Sequence, residues 1–286
     1  MSAWVLGVIG GSGLYDIPGL VGEWRPIESP WGAPSDAVFD GELDGQRIVF
    51  LPRHGRGHRL PPSSVNYRAN IDVLKRAGCT DLLSLSACGS FREELAPGVF
   101  VVVDQYIDRT FAREKSYFGP GLVAHVSMAH PTCPRLSSLA AAAAREAGAP
   151  VVEGGTYLAM EGPQFSSLAE SKLYRSWGCD LIGMTNMPEA KLARELELPY
   201  ASIGMVTDYD CWREEVAAVT VTNVLEVLAA NALKARATVA ALAQMLKRET
   251  RTPSPIDTAL DMAILTPRAA WDETLKGKIA ALGRFA

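Results

Sequence analysis

Two stretches of the chain combine residue types that do chemistry. The first, TDYDCW, begins at Thr207 and follows the apolar run PYASIGMV, which reads as a buried strand. If the extended conformation persists, Asp208 and Asp210 face the same side. Two carboxylates on one face repel, and burial sharpens the repulsion, so the pair calls for a cation, a metal or a proton donor. The second stretch is LPRHGRGHRL, where Arg53, His54, Arg56, His58 and Arg59 crowd one loop. Guanidinium forks match phosphate oxygens through paired hydrogen bonds. Imidazole can donate too, and its cationic form gains beside an anion. The loop is either a solvated basic turn or the seat of a multiply charged oxyanion, most simply inorganic phosphate. The prolines that follow and the helix start expected at Asn66 fix its place and favour the seat.

Smaller signals surround these two. GGSG, with Ser12, follows the first apolar segment, and its successive N–H groups can cradle an anion. It lacks the GxGxxG spacing and helix start of a dinucleotide site and the lysine of a P-loop, so by itself it is either such a cradle or a plain tight turn. SACGS, with Ser86 and Ala87, and GMT, with Thr185, place small and hydroxyl residues at strand ends. Ligands of open α/β sheets bind beyond the carboxyl ends of strands. Ser12, Arg53, His54, Ser86 and Thr185 can therefore converge on one anion.

The elements that must position these residues alternate between strand-like and helix-like patterns. WVLGVIGG reads as a first strand, and AVFDGEL and QRIVFLP form a hairpin about Asp44-Gly45. NYRANIDVLKRAG is a helix with a glycine stop. DLLSLSA, VFVVVDQYI, VVEGGTYLAM and DLIGM are strands, separated by the helical SSLAAAAAREAGA and SSLAESKLYRSWG. MPEAKLARELEL is the helix that leads into the strand before TDYDCW. A long amphipathic helix runs from Val219 to Met245. This alternation predicts an α/β fold, as one large domain or two smaller ones, with a mixed or parallel sheet flanked by helices. The polar, proline-bearing stretch RETRTPSPID marks the one boundary, between a domain at 1–250 and an appendage at 251–286 that packs on the same domain or on a neighbour.

Composition narrows the function classes. The 286 residues are 48% hydrophobic, enough for a large core, and the formal charge is −4 with both signs interspersed. That charge pattern offers no footprint for nucleic acid. No apolar run reaches membrane-spanning length, and the N-terminus lacks the basic segment of a signal peptide. The five cysteines are scattered without a CxxC pair, which argues against a disulfide framework or a zinc site and for reduced thiols in a cytoplasmic protein.

Taken in order, IGGSGL, RHGRGH, VNYRANI, SACGS, EGPQFSS, ESKLYRSWG, GMTNMPEA and TDYDCW resemble the trimeric purine nucleoside phosphorylase family. The resemblance is strongest to the branch that acts on S-methyl-5′-thioadenosine. It implies one α/β domain around a twisted mixed sheet, and a homotrimer or a dimer of trimers. The implied reaction is a phosphorolysis in methylthioadenosine salvage that needs no metal and no cofactor, with inorganic phosphate as co-substrate. By the same resemblance the phosphate site falls on Ser12, Arg53, His54, Ser86, the Ala87 backbone and Thr185. Phe165, Met184 and Tyr209 fall at the nucleoside, with Phe165 as a stacking ring, and Asp208 and Asp210 read the purine. Ser166 and Val221 fall where substrate choice is tuned, and Val221, Val224 and Leu225 line a 5′-methylthio pocket. His125 matches a residue lent across a subunit interface. Ser12 stands where some relatives carry threonine, and the tail after Arg251 cannot be matched.

The resemblance gives the aspartates a task. Adenine presents a 6-amino donor and N7 along one edge. Two acids forced together retain a proton between them, and protonation at N7 makes the purine a better leaving group. Asp208 is expected at N7 and Asp210 at the amino group. A 6-oxopurine or methylthioinosine phosphorylase is the alternative; it would want a donor facing O6, typically asparagine. DxD as a metal–diphosphate motif would need divalent metal and further acids nearby. A purine-binding module without catalysis would not need the RHGRGH loop.

Overall fold

A computed structural model describes residues 3–11, 14, 17–213 and 221–285, with 221–225 described by backbone alone. The strands are β1 (Leu6–Gly10), β2 (Leu20–Arg25), β3 (Val38–Leu43), β4 (Gln46–Pro52), β5 (Asp81–Ser90), β6 (Phe100–Val103), β7 (Gln105–Asp108), β8 (Val151–Glu153), β9 (Thr156–Ala159), β10 (Leu181–Gly183) and β11 (Tyr200–Asp208). The helices are α1 (Tyr67–Arg76), α2 (Pro134–Glu146), α3 (Leu168–Ser176), α4 (Asn186–Glu195), α5 (Val221–Arg248) and α6 (Glu273–Lys278). The strands form one mixed sheet ordered β2-β3-β4-β1-β5-β10-β9-β7, with β11 joining β5 to β6 and β6 joining β8.

Alternate residues of the central strands feed two separate cores, as the two-residue period of a strand requires. Val49 and Leu51 of β4 enter the core beneath α1, α4 and the C-terminal tail. Ile48 and Phe50 enter the one beneath α2 and α5. Helices on both faces bury both sides of the central strands, which is why β1 and most of β11 read as continuous apolar runs.

β5 is the pivot. Its start, Asp81–Leu85, pairs in parallel with β1, and its end, Gly89 and Ser90, pairs antiparallel with β10. β11 runs parallel along β5 from Leu82 to Gly89. The register therefore leaves Ser86, Ala87 and Cys88 between the β1 and β10 ladders. A break in a ladder releases backbone polar groups for other partners, and here it opens onto a cavity lined by these same three residues.

VVEGGTYLAM does not form one strand. Gly154 and Gly155, at φ +84° and +158°, separate β8, which pairs with β6, from β9, which pairs with β7 and β10. The long helix runs to Arg248, three residues beyond the expected Met245. The tail packs onto the same chain: Arg251 bridges Asp81 at 2.5 Å and Asp257 at 2.6 Å, and Ile279 and Phe285 enter the core.

Candidate active site

The cavity at the carboxyl ends of β1, β4, β5, β10 and β11 has a volume of about 550 Å³. One end is cationic. Arg53 directly follows β4 and is 1% exposed. Its Nε and Nη2 grip Glu189 of α4 at 2.8 and 3.1 Å. Nη2 also reaches Ser84 Oγ at 2.7 Å and the Ile9 carbonyl at 3.3 Å, and Nη1 donates to the Leu85 carbonyl at 3.1 Å. Burial pulls the Arg53 pKa down, but the Glu189 charge outweighs it and holds the group protonated. Glu189 accepts two further hydrogen bonds, from Ser84 Oγ at 2.7 Å and Tyr200 Oη at 2.9 Å.

His54 lines the same end and stacks on His58, ring centroids 4.4 Å apart. Its Nδ1 lies 2.8 Å from the Leu60 carbonyl, an acceptor, so Nδ1 carries the proton. Burial and the Arg53 charge pull its pKa down to about 4, so the ring is neutral at pH 7 and its Nε2 is left as the acceptor. Arg59 lines the cavity, whereas Arg56 turns outward, pairing with Asp36 at 2.8 Å and covering the Trp24 ring at 4.2 Å. The positive φ values of Gly55, Gly57 and His58 give the loop its coiled path. Asn66 ends it by capping α1, accepting from Ala69 N–H at 3.1 Å.

Ser86, Ala87 and Thr185 complete this end. Ser86 Oγ lies 3.0 Å from Oδ1 of the fully buried Asn186. Thr185 precedes α4, and its hydroxyl makes no capping bond to the helix. Ser12 lies outside the described residues.

Another part of the lining is acidic and aromatic. β11 stops at Asp208, and Asp210 adopts φ +53°, so the strand does not continue through the pair. The expectation of two carboxylates brought together by strand alternation is corrected: a turn does it. Asp210 N–H donates to Asp208 Oδ1 at 2.8 Å, closing an Asx turn. Thr207 Oγ1 reaches Asp208 Oδ2 at 2.7 Å, and Ser171 Oγ donates to Asp210 Oδ2. Both acids line the cavity. Gly89 makes room for them, since Asp208 Oδ1 lies 3.0 Å from where a Cβ would stand. Burial raises the Asp210 pKa, and the Asp208 charge adds to it against the Ser171 hydrogen bond.

Phe165 and Met184 also line the cavity, and Phe165 is 81% exposed. Other expected residues point elsewhere. Tyr209 is not among the lining residues; its hydroxyl donates to the Glu93 carbonyl at 3.0 Å and its ring meets Trp212 edge-on. Ser166 is buried beside the cavity, with Oγ 3.7 Å from Met160 Sδ. His125 is exposed and off the cavity, its N–H donating to the Ala263 carbonyl at 2.9 Å. The side chains of Val221, Val224 and Leu225 lie outside the description; Leu228, one turn further along α5, lines the cavity.

Sequence reasoning missed the residues that hold the lining in place. Besides Glu189 and Asn186, the buried Arg113 donates to the Tyr67 hydroxyl at 3.0 Å and to the carbonyls of Met184 and Met187 at 2.6 and 2.7 Å. It also donates to the Glu161 carbonyl at 2.7 Å. Glu161 accepts from Phe111 and Ala112 N–H at 2.6 and 3.2 Å and from Ser63 Oγ. Burial opposes its ionisation, but these hydrogen bonds and the Arg113 charge hold its pKa near 2. A carboxylate inside the GMTNMPEA motif, one turn past Thr185, was the available signal for Glu189. Among the described residues no three His, Cys, Asp or Glu side chains gather as metal ligands.

A cationic cluster and an acid pair thus line one cavity of a mixed α/β sheet. The chain belongs to the phosphorylase superfamily, whose family model matches residues 5–244. It is 60% identical over 280 residues to the S-methyl-5′-thioadenosine phosphorylase of Cereibacter sphaeroides, covering 97% of each chain. It is 59% identical over 288 residues to that of Bradyrhizobium diazoefficiens, covering 99% of each. A methylthioadenosine phosphorylase sourced from an antarctic soil metagenomic library superposes with a TM-score of 0.92 at 44% identity over 99% of both chains. The Schistosoma mansoni methylthioadenosine phosphorylase in complex with adenine gives 0.82 at 35% identity over 98% of both.

Proposed function

We propose that the chain catalyses reversible phosphorolysis of S-methyl-5′-thioadenosine to adenine and 5-methylthioribose 1-phosphate, in methylthioadenosine salvage. The observation that carries this reading is that Arg53 and the Asp208–Asp210 pair line one and the same cavity. Phosphate sits at the cationic end, on the remaining Nη1 N–H of Arg53, the hydroxyls of Ser86 and Thr185 and the Ala87 backbone, with His54 Nε2 accepting from its P–OH; Ser12, assigned to the same anion by the resemblance, lies outside the described residues. The purine sits between Phe165 and Met184 with its N7 edge toward the acids. Asp208 serves N7 and Asp210 accepts from the 6-amino group, and the pair keeps one proton between them. As the C1′–N9 bond breaks, that proton moves to N7. Phosphate attacks C1′ from the opposite face while its charge stabilises the cationic sugar. No metal or cofactor has a step in this scheme.

The 5′-methylthio group meets the start of α5, where positions 221, 224, 225 and 228 recur at helical spacing. Ser166 backs the base from behind Met160. Homotrimer assembly, with or without pairing of trimers, draws support from an exposed apolar seam. Val123 and Leu265 are joined by a backbone hydrogen bond of 2.9 Å, and Met262 beside them is 94% exposed. His125 lies in the same seam, where a neighbour's cavity can receive it. In that arrangement His125→Ala raises the nucleoside KM and leaves phosphate binding intact. Among the described residues no helix is long and apolar enough to cross a membrane, and four of the five cysteines are buried free thiols, as suits the cytoplasm.

A phosphate-dependent assay tests the reading. Methylthioadenosine should be the best substrate and adenosine slower, since an apolar pocket rejects a hydroxyl by about 10²-fold at most. Inosine and methylthioinosine should be poor, because Asp208 and Asp210 offer acceptors to O6. Adenine release at an unchanged rate without phosphate would make the chain a hydrolase.

A further inference from the structure

Arginine has five N–H donors. In Arg53 the protein accepts from Nε, from both hydrogens of Nη2 and from one of Nη1. Only one N–H, on Nη1, is left without an acceptor among the described residues. The carboxylate that takes the fork, Glu189, is 0% exposed and closed in by Ser84 and Tyr200. It lies at the start of α4, on the segment that carries Thr185, while Arg53 follows β4, so the pair ties the two walls of the cationic end together. A guanidinium held this way cannot turn, and most of its charge is cancelled before any anion arrives.

Resting on the phosphorolysis reading, we propose that Glu189 is a positioning residue for the co-substrate. It aims the last Arg53 N–H at the anion and acts as the counter-ion that phosphate would otherwise become. Phosphate then binds by directed hydrogen bonds instead of neutralising a bare buried cation. The phosphorylated sugar can leave for the same reason.

The test is calorimetric titration of the full-length protein with inorganic phosphate, without nucleoside, alongside thermal unfolding with and without phosphate. In Glu189→Gln the buried Arg53 has lost its counter-ion and phosphate takes that place. Its dissociation constant should fall about tenfold, a shift of about 1.4 kcal/mol. The phosphate-induced rise in melting temperature should exceed that of the parent, because the ligand now rescues the destabilised fold. The turnover number should drop as the guanidinium loses its aim. Glu189→Asp keeps the charge and should retain parental phosphate affinity. Ser84→Ala and Tyr200→Phe keep the carboxylate and should do the same. If Glu189→Gln is too unstable to titrate, an unaltered phosphate affinity in Glu189→Asp, despite a lower melting temperature, supports the charge role; a loss of affinity there overturns it. Equal phosphate stabilisation in parent and Glu189→Gln also overturns it, leaving Glu189 a purely structural partner. A parent that binds no phosphate would sink the phosphorolysis reading itself, a separate outcome.

Discussion

At the cationic end of the cavity, Arg53 is 1% exposed and all but one of its donors is taken by protein. Around the acid pair, Phe165 is 81% exposed and the two acids are half-buried, held by a turn and two hydroxyls. Arg53 is held by buried groups of the sheet and α4, whereas the acid pair starts at the last residue of β11 and runs into the turn beyond it. In the proposed reaction phosphate never varies, so its seat can be finished in advance. A nucleoside is larger and must enter and leave, which demands an open wall. Damage at the cationic end should therefore spread to the fold, and damage around the acid pair should stay in the kinetics.

The largest separation is expected from Asp208→Asn. Loss of the general acid should lower kcat/KM for methylthioadenosine by about 10²–10⁴-fold, with phosphate binding by calorimetry unchanged. The amide can donate to O6, so methylthioinosine should lose less, and the ratio of the two efficiencies reads base recognition free of general damage. Next comes Arg53→Ala, which leaves the Glu189 carboxylate buried without its partner. Denaturant unfolding should show a loss of about 3–5 kcal/mol, together with failure to saturate with phosphate. Equal stability in Arg53→Ala and Asp208→Asn would erase the contrast between the two.

Smaller effects refine the region around the acid pair. Asp210→Ala removes the acceptor for the amino group and should cost about 1–3 kcal/mol of transition-state binding on 6-amino substrates, measured as kcat/KM. Phe165→Ala should raise the nucleoside KM by the equivalent of about 0.5–1.5 kcal/mol and leave the melting temperature unchanged, because the ring is exposed. The least effect is one of pH. Glu161 supports the EGPQF segment, and its carboxyl is held near 2, below its ordinary range. Its contribution is complete above the unfolded carboxylate value and fades as pH falls toward 2. Acid unfolding of Glu161→Gln should therefore show a shallower dependence between about pH 5 and pH 2 than the parent.

Much of this was legible in the chain. Periodicity gave the α/β alternation, and strand-end motifs placed Arg53, His54, Ser86 and Thr185 at one end of a cavity because strand termini converge by topology. The Glu189 partnership was not legible. It joins positions 136 apart in sequence, and a glutamate in a helical pattern reads as solvent-facing until tertiary packing buries it. The face shared by Asp208 and Asp210 was expected for the wrong reason: strand periodicity fails where an aspartate carboxylate captures a backbone N–H two residues on. Tyr209, placed at the nucleoside by resemblance, sits inside that turn and points to Glu93. The unpaired interval of β5 depends on two strands from distant parts of the chain sharing one edge, which no local pattern encodes.

The clasp of Arg251 on Asp81 and Asp257 also bears on the order in which the molecule can be completed. Asp81 opens the pivotal strand β5 and is fully buried, also bound by Arg135. Arg251 lies 170 positions after Asp81. While the chain is being made, the central strand therefore stands for a long interval with Arg135 in place and Arg251 still to come, and the Arg251 clasp is among the later contacts to form.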